Sequence, residues 1–328
     1  MTMSVAIIIR AFNEEAHIGR LLTGIRKQTE FPDEVILVDS GSTDSTVAIA
    51  EAFGATVVSI GRDEFSFGRA LNRGIEVASS DLVVMASAHV YPIYDDWLER
   101  LLAPFEESAE VGLSFGRQVT PPGSHFSERR LLERWFPAES RIDREHPFCN
   151  NANAAIRREL WLDRPYDEQL TGLEDLAWAK GLLDEGGALA YVADAPIVHV
   201  HEESFTQIVN RYRREALAHK AIYPDQTLSA PAALRLGLAN IADDLVAATR
   251  EGRILGREAL AILQFRIAQF YGTFSGFSQI SPVTDSLKRR FYYPAGGRQP
   301  EVQGRPRGRE INYDDAGHLA QAGLPDEH

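Results

Sequence analysis

Two adjacent carboxylates, Glu174 and Asp175, lie where a loop turns into an apolar-periodic helix, within the run Thr171–Trp178. A carboxylate in that position can remove a proton from a hydroxyl group. Because a helix N-terminus favours the ionised form, a general base there needs partial burial or a nearby like charge to raise its proton affinity. Acidic residues in a first helical turn are also common as helix caps. The pair alone therefore does not indicate catalysis, and the residues upstream of it supply the further evidence.

Polar side chains also follow three short apolar runs. Arg10 to Asn13 follow the first run, Asp39 to Asp44 the second, and Ser87 to His89 a later one. The loop 39–44 lacks the Gly-Lys-Ser/Thr ending of a phosphate loop and the G-x-G-x-x-G spacing of a dinucleotide fingerprint. A carboxylate at a strand end, such as Asp39, is suited to accept hydrogen bonds from a nucleobase or a ribose.

The elements that must position these groups alternate in type. Apolar strands are predicted at Val5–Ile9, Val35–Val38, Thr56–Ile60 and Leu82–Ala86, and helices at Glu14–Lys27, Thr43–Phe53, Arg69–Ala78 and Trp97–Glu107. This alternation predicts parallel βαβ units, in which ligands gather beyond the C-terminal ends of the strands. The three polar loops should therefore meet at one edge of the sheet.

The second half of the sequence is less regular. After a strand at Val111–Arg117, the segment up to about Asn153 is predicted to be irregular, and its arginines, Arg129 among them, could form a solvated face or face a substrate. A strand beginning at Ala190 leads to His199 and His201 and then to a basic helix. Amphipathic helices are predicted at Ala232–Thr249 and Arg257–Tyr271, and the last thirty residues have little to bury.

Composition narrows the class of protein. A net charge of −13 makes non-specific nucleic-acid binding unlikely, and the single cysteine, Cys149, excludes an intramolecular disulfide and a cysteine-based zinc site. The N-terminal run does not resemble a signal peptide, and no apolar run approaches the roughly 20 residues that span a bilayer. We therefore expect a cytoplasmic protein that contacts a membrane, if at all, peripherally at its inner face.

Three ordered motifs resemble the nucleotide-binding half of family 2 glycosyltransferases. They are Val5–Glu15, Ile36–Asp44 and Gly68–Gly74, and Glu174-Asp175 falls where that family keeps its Glu-Asp pair. The resemblance covers roughly residues 4 to 215. It implies an α/β GT-A fold, the nucleotide-diphospho-sugar transferase fold, with a mostly parallel sheet flanked by helices. The expected divisions are a catalytic domain at 1–225, a helical appendage at 226–295 and a mobile tail at 296–328.

The resemblance also implies residue roles. Asp175 is the base that activates an acceptor hydroxyl, and Glu174 positions the acceptor or supports the base. The implied nucleotide-binding residues are Arg10, Ala11, Asn13, Glu14, Asp39, Ser40, Arg69, Ser87 and Ala88. Arg117, Asn151 and Asn153 fall at the floor and acceptor wall, where amides can bind sugar hydroxyls, although such asparagines also commonly cap loops.

The chain departs from the family at its metal motif. Ser87-Ala88-His89 stands where an Asp-x-Asp motif normally lies, as in a subgroup that also carries a segment like Phe65–Arg69. In one interpretation His89 binds a divalent metal, manganese or magnesium, with His199 or His201 completing the site. In the other the enzyme needs no metal, and arginines or His89 itself neutralise the diphosphate.

The expected activity is inverting transfer of a hexosyl or deoxyhexosyl group from a nucleotide-diphosphate sugar to a glycan, lipid-linked or other hydroxyl. Cell-surface polysaccharide or glycoconjugate assembly is the expected setting, with no nucleic-acid partner, and the appendage could form a homodimer or rest on a membrane. The alternative is a non-catalytic nucleotide-sugar-binding protein that keeps the fold. A nucleotidyltransferase is disfavoured, because no basic, glycine-rich loop for a triphosphate lies between Val5 and Glu15.

Overall fold

The computed structural model describes residues 3–253, 256–280 and 308–313. The first half of the chain alternates strands and helices, as the sequence predicts: β1 Val5–Ala11, α1 Ile18–Arg26, β2 Glu34–Asp39, α2 Thr46–Ala52, β3 Thr56–Ser59, α3 Phe67–Val77, β4 Leu82–Ser87, β5 Val90–Pro92 and α4 Trp97–Glu107. The predicted helix Glu14–Lys27 begins only at Ile18, because the preceding residues form the loop beyond β1. Strands β1 to β4 are paired in parallel.

The second half contains more regular structure than the sequence predicts. Its elements are β6 Val111–Val119, α5 Phe126–Trp135, β7 Arg141–Asp143, β8 Asn153–Arg157, α6 Arg158–Asp163, α7 Glu174–Asp184, β9 Ala188–His199, α8 Phe205–Ile222, α9 Ala230–Arg250 and α10 Gly256–Phe277. The expectation of an irregular segment up to Asn153 was wrong, because α5 buries Phe126 and Leu131 against the appendage and β7 pairs with β9.

One sheet runs through the domain in the order β3-β2-β1-β4-β8-β6-β9-β5, with β7 beside β9. Strand β8 runs antiparallel to both of its neighbours, β4 and β6, whereas β6 and β9 are parallel. The expected parallel arrangement therefore holds for the first half, and the sheet as a whole is mixed. Both faces are covered by apolar layers, and Gly74 lets α3 approach closely, since a Cβ there would collide with Ile8 and lie 2.9 Å from Val38 Cγ2.

Helices α8 and α9 both pack on α10. Helix α8 meets α10 at two glycines, and a Cβ on Gly272 would lie 2.5 Å from the carbonyl oxygen of Val209. Between α9 and α10 the buried Asp244 carboxylate pairs with Arg266 at 2.7 Å. The predicted division at residue 225 falls in the connection between α8 and α9, and it remains a prediction.

The arginines of α5 face this helical group. Arg129 pairs with Glu251, and Arg130 and Arg134 both pair with Asp243. These arginines therefore lie on a salt-bridged helix, one of the two alternatives that the sequence leaves open, and their partners Glu251 and Asp243 belong to the C-terminal helical group.

The expected mobile tail, 296–328, lies outside the described residues except for 308–313. These six residues lie against the first half of the domain: Tyr313 donates a hydrogen bond to the carbonyl oxygen of Pro92, Arg309 N donates to Asp95, and Glu310 forms a bridge with Tyr94. These contacts tie the six residues to the first half of the chain, and the mobility of the tail stays a prediction. In the described part of the chain, no helix is both long and apolar enough to cross a bilayer.

Candidate active site

A cavity of about 620 Å³ opens beyond the C-terminal ends of β1 and β4 and is closed on its far side by α5, the start of α7 and α8. The predicted site residues that line it are Arg10, Ala11, Asn13, Glu14, Ser40, Ser87, His89, Asn151, Glu174, Asp175, His199 and His201. The predicted residues that do not line it are Asp39, Arg69, Ala88, Arg117 and Asn153. The structure thus brings the three polar loops and the Glu-Asp pair to one cavity.

Asp175 sits in the first turn of α7 and is largely buried. Leu173 enters the helix with left-handed backbone angles (φ 55°), which turns the two carboxylates that follow it toward the cavity. One carboxylate oxygen of Asp175 accepts a hydrogen bond from Asn151 N at 3.1 Å, and the other accepts one from Leu176 N at 2.8 Å. These bonds fix the orientation of the carboxylate.

Burial and the adjacent Glu174 carboxylate raise the pKa of Asp175 to about 7, against the opposing effects of its two backbone hydrogen bonds and of Arg10. A general base at a helix N-terminus needs burial or a nearby like charge to raise its pKa, and Asp175 has both. A carboxylate with a pKa near neutrality is suited to accept a proton from a substrate hydroxyl.

Arg10, one of the predicted nucleotide-binding residues, lines the cavity and forms an ion pair with Glu174. Its Nη1 lies 2.9 Å from Glu174 Oε1, and both side chains are largely buried. Arg10 and Arg214 both approach the Phe67 ring, at 4.9 and 4.6 Å from its centroid. Arg10 therefore places a positive charge beside the two carboxylates.

The loops after β1 and β2 bind each other. Asn13, at φ 53°, accepts a hydrogen bond from Thr43 N at 2.8 Å through its side-chain oxygen. Asp39 accepts hydrogen bonds from Gly41 N and Ser42 N, both at 3.0 Å, and is almost fully buried. Asp39 thus shapes the loop that borders the cavity.

Two other predicted residues are engaged elsewhere. Arg69 pairs with Glu168 at 2.7 Å, outside the cavity. Asn153 is fully buried, accepts a hydrogen bond from Trp97 Nε1 at 3.0 Å and donates to the carbonyl oxygens of Ala195 and Arg117. Its amide joins strands, which is a structural function, and the acceptor-wall expectation for Asn153 is wrong in this structure.

The three predicted histidines lie together. The ring centroid of His199 lies 5.1 Å from the ring centroid of His89 and 4.0 Å from that of His201. His89 Nδ1 lies 2.8 Å from Glu14 Oε1. Burial is the largest single influence on the pKa of His89 and lowers it, but the charge and the hydrogen bond of Glu14, together with the charge of Glu203, raise the pKa overall. His199 contacts Gln118, and burial with the neighbouring histidines lowers its pKa well below the usual value.

The ligand atoms of Glu128, His201 and Glu203 lie within 4.8 Å of one another and form a candidate metal group. Two carboxylates with one imidazole fit manganese or magnesium in donor type. Arg211 already lies 2.6 Å from Glu203 and 3.0 Å from Glu128, and although burial alone would raise the pKa of Glu203, Arg211 holds it at about 2. A metal ion would therefore share these carboxylates with Arg211.

Of this group, His201 belongs to the predicted metal ligands, whereas Glu128 and Glu203 were not predicted. The run His199–Glu203, with two histidines followed by two acids, is a signal that could have identified Glu203. Glu128 gives no comparable signal, because it reaches the group from α5, more than seventy residues away in sequence. The basic helix around Arg211 could, from its sequence, either receive an acidic acceptor or be a salt-bridged surface helix, and in the structure Arg211 and Arg214 line the cavity.

The sequence matches the family model described as Glycosyl transferase family 2 over residues 6–162. Among curated proteins, the chain is 24% identical over 230 residues to an O-antigen chain rhamnosyltransferase of Salmonella typhimurium, which covers 66% of this chain and 73% of that protein. A 4,4'-diaponeurosporenoate glycosyltransferase of Staphylococcus aureus is 35% identical over 114 residues, 34% of this chain and 30% of that protein.

Two solved structures resemble the fold. A mannosyltransferase from Pyrobaculum calidifontis, in complex with GDP-Man and Mn²⁺, superimposes with a TM-score of 0.60 and 18% identity, covering 86% of this chain and 89% of its own. Glucosyl-3-phosphoglycerate synthase from Mycobacterium tuberculosis, in complex with Mn²⁺, UDP and phosphoglyceric acid, superimposes with a TM-score of 0.51 and 22% identity. The match covers 67% of this chain and 78% of the synthase chain. At these identities the likeness establishes the GT-A fold and leaves the substrates open.

Proposed function

This chain belongs to glycosyltransferase family 2, and from that premise we propose that it transfers a sugar from a nucleotide-diphosphate donor to an acceptor hydroxyl with inversion at the anomeric carbon. The observation that carries the proposal is Asp175, a largely buried carboxylate with a pKa of about 7 that lines the cavity beside Glu174. Such a group holds its proton loosely enough to ionise near neutral pH and binds one strongly enough to take it from an alcohol.

In the proposed reaction the acceptor oxygen attacks the anomeric carbon while its proton passes to a carboxylate oxygen of Asp175. The bond between the anomeric carbon and the phosphate oxygen breaks on the opposite face, and the nucleoside diphosphate leaves with the electron pair. Asn151 N and Leu176 N hold the Asp175 carboxylate in one orientation throughout. Glu174, held by Arg10, keeps a second negative charge next to Asp175 and maintains its proton affinity.

We assign the nucleotide to the edge formed by the loops after β1 and β2, where Ala11, Asn13, Glu14 and Ser40 line the cavity. Asp39 supports this edge by holding the 40–42 loop. Of the predicted acceptor residues, Asn151 is the one that lines the cavity, next to the base. The Ser-Ala-His subgroup stays a prediction.

The departing diphosphate needs positive charge. Cavity residues of this chain that supply it are His89, whose proton affinity is raised by Glu14, and the arginines Arg211 and Arg214. Glu128, His201 and Glu203 would hold a divalent cation, which would add positive charge for the leaving group.

The rhamnosyltransferase relative suggests an acceptor in polysaccharide assembly, and we extend this to a glycan or lipid-linked glycan as acceptor. A lipid-linked acceptor places the enzyme at the cytoplasmic face of a membrane, bound peripherally.

A thermal-shift panel tests donor binding, with UDP, dTDP, GDP and CMP and their sugars, each in manganese, magnesium or chelator. We expect one nucleotide class to stabilise the protein. With that donor, Asp175→Asn should keep the thermal shift and lose turnover by several orders of magnitude, whereas Asp184→Asn, at the exposed end of the same helix, should behave as wild type. Donor binding without any transfer by the wild type would favour the non-catalytic alternative, and no binding of any nucleotide would refute the proposal.

A further inference from the structure

Helix α10 carries apolar residues on all sides, and such a helix is normally covered all round. One side packs on α8 and α9 and buries Ile262, Phe265 and Ala268. The other side is open: Leu260, Ile267 and Tyr271 are 55%, 53% and 61% exposed. Apolar exposure on this scale, concentrated on one side of a helix, indicates a surface that contacts something else.

The open side of α10 is continuous with an apolar line on α9. On α10 the residues Leu260, Leu263, Ile267 and Tyr271 are spaced three or four apart, and on α9 Leu234 and Leu238 are four apart, so each set forms a line along its helix. We call these six residues the α9–α10 apolar surface.

The two lines lie on the same side of the helix pair. Asp244 contacts Arg266, and Gly237 faces Phe270, so the helices run antiparallel. In an antiparallel pair, the residues that follow a contact on each helix turn toward the same side. Leu238 follows Gly237 and Tyr271 follows Phe270, which brings both lines to one face.

The charges of α9 and α10 indicate what this face meets. Their acidic residues are all paired: Asp243 with Arg130 and Arg134, Asp244 with Arg266, and Glu258 with Arg253. Within the described residues, the charged side chains of the two helices that form no ion pair are Arg235, Arg250 and Arg257, all exposed. In a chain of net charge −13, these helices thus present only positive unpaired charge.

We propose that the α9–α10 apolar surface docks the enzyme on an anionic lipid bilayer. Leucine, isoleucine and tyrosine side chains enter the boundary between headgroups and acyl chains, while Arg235, one residue from Leu234, and Arg257, three residues before Leu260, meet anionic headgroups. A second copy is a poorer occupant, because a two-fold contact would bring unpaired arginines together without acids to receive them. This inference rests on the proposed function for its setting, a lipid-linked acceptor, and on the surface alone for its physical basis.

The test is co-sedimentation of the full chain with vesicles of phosphatidylcholine alone and of phosphatidylcholine mixed equally with phosphatidylglycerol. We expect binding to the mixed vesicles, weakened by salt. Arg235→Gln and Arg257→Gln should each weaken that binding about fivefold, and Leu263→Ser with Ile267→Ser at least about tenfold. Leu162→Ser, 57% exposed on α6, is the matched control and should bind as wild type.

Light scattering without lipid and thermal melts complete the experiment. Melts establish that each variant is folded, and Leu260→Ser replaces the double variant if that one is not. The proposal is overturned if the wild type does not bind mixed vesicles. It is also overturned if the protein is a dimer that the double variant Leu263→Ser with Ile267→Ser dissociates. A monomer that does not bind vesicles would indicate that residues 281–307 or another protein covers this surface. Because the readout is lipid binding, donor binding and transfer to a water-soluble acceptor remain a separate test of the enzyme activity.

Discussion

Arg10 Nη1 lies 2.9 Å from Glu174 Oε1, so a buried positive charge adjoins the two carboxylates at the start of α7. Arg10 lowers the pKa of Asp175, in opposition to burial and to Glu174. The charges of Arg10 and Glu174 therefore both influence the proton affinity of Asp175, the proposed base. Glu174 raises the pKa of Asp175, and Arg10 lowers it.

Replacing Arg10 should move the acidic limb of the pH–rate profile. Asp175 must be ionised to act, so kcat/KM of the wild type should fall below about pH 7. Arg10→Gln removes a nearby positive charge, which should raise the pKa of Asp175 and shift this limb upward by about one pH unit. Arg69→Gln, whose arginine pairs with Glu168 outside the cavity, should leave the limb in place; equal shifts in both variants would argue against direct coupling.

Asp175→Asn should stabilise the protein at alkaline pH. Because the pKa of Asp175 is raised in the folded state, the unfolded chain ionises first, and stability falls as pH rises from about 4 to 7. A difference of about three units corresponds to at most about 4 kcal/mol, which the asparagine variant should recover above pH 7 and not below pH 4. Melting temperatures at pH 4.0 and 8.0 measure this, and an equal change at both would exclude the titration as its cause.

Manganese affinity should depend on Glu203 more than on His89. Glu203→Gln removes a carboxylate of the candidate metal group and should weaken Mn²⁺ binding at least about tenfold. His89→Gln should have a smaller effect, because His89 is bound to Glu14 and lies outside that group. Titration calorimetry with Mn²⁺ alone measures both, and a larger loss in His89→Gln would restore the ligand set that the sequence suggests.

Arg211→Gln should tighten Mn²⁺ binding. Arg211 occupies the carboxylates of Glu128 and Glu203, so removing its charge frees them for a metal ion. The same calorimetry applies, with Arg213→Gln as a control because Arg213 bonds to Gln279. Weaker metal binding by Arg211→Gln would mean that Arg211 helps to build the site.

Adjacent aspartates on α9 should differ widely in their effect on stability. Asp244 is fully buried against Arg266, so Asp244→Ala leaves a buried guanidinium without a partner and should cost about 3–5 kcal/mol. Asp243 is half exposed, and Asp243→Ala should cost at most about 1 kcal/mol. Urea unfolding of the two variants provides the comparison; similar losses would mean that Arg266 finds another partner.

The first half of the fold could be predicted from the sequence because its signals are local. Helix α4 matches its predicted bounds, and β1 extends its prediction by two residues, since apolar spacing determines both. The direction of β8 could not be predicted, because it depends on the strands beside it. Short apolar runs carry no sign of their direction.

The site divides in the same way. Glu174 and Asp175 were found because motif and helix start coincide at one place in the sequence. Glu128, Glu203 and Arg211 come together from α5, the loop after β9 and α8, and such distant pairings leave no pattern in a single sequence. The role predicted for Asn153 was wrong because the residue type alone does not distinguish a buried amide that joins strands from an amide that binds a sugar.

Residues 308–313 lie on the first half of the domain, beside Pro92 and Asp95. Helices α9 and α10 are therefore anchored at both ends, through α8 on one side and through this segment on the other, whatever path 281–307 takes. In polymer terms they form a closed loop rather than a free end, so separating them from the catalytic domain gains less chain entropy than releasing a terminal arm would.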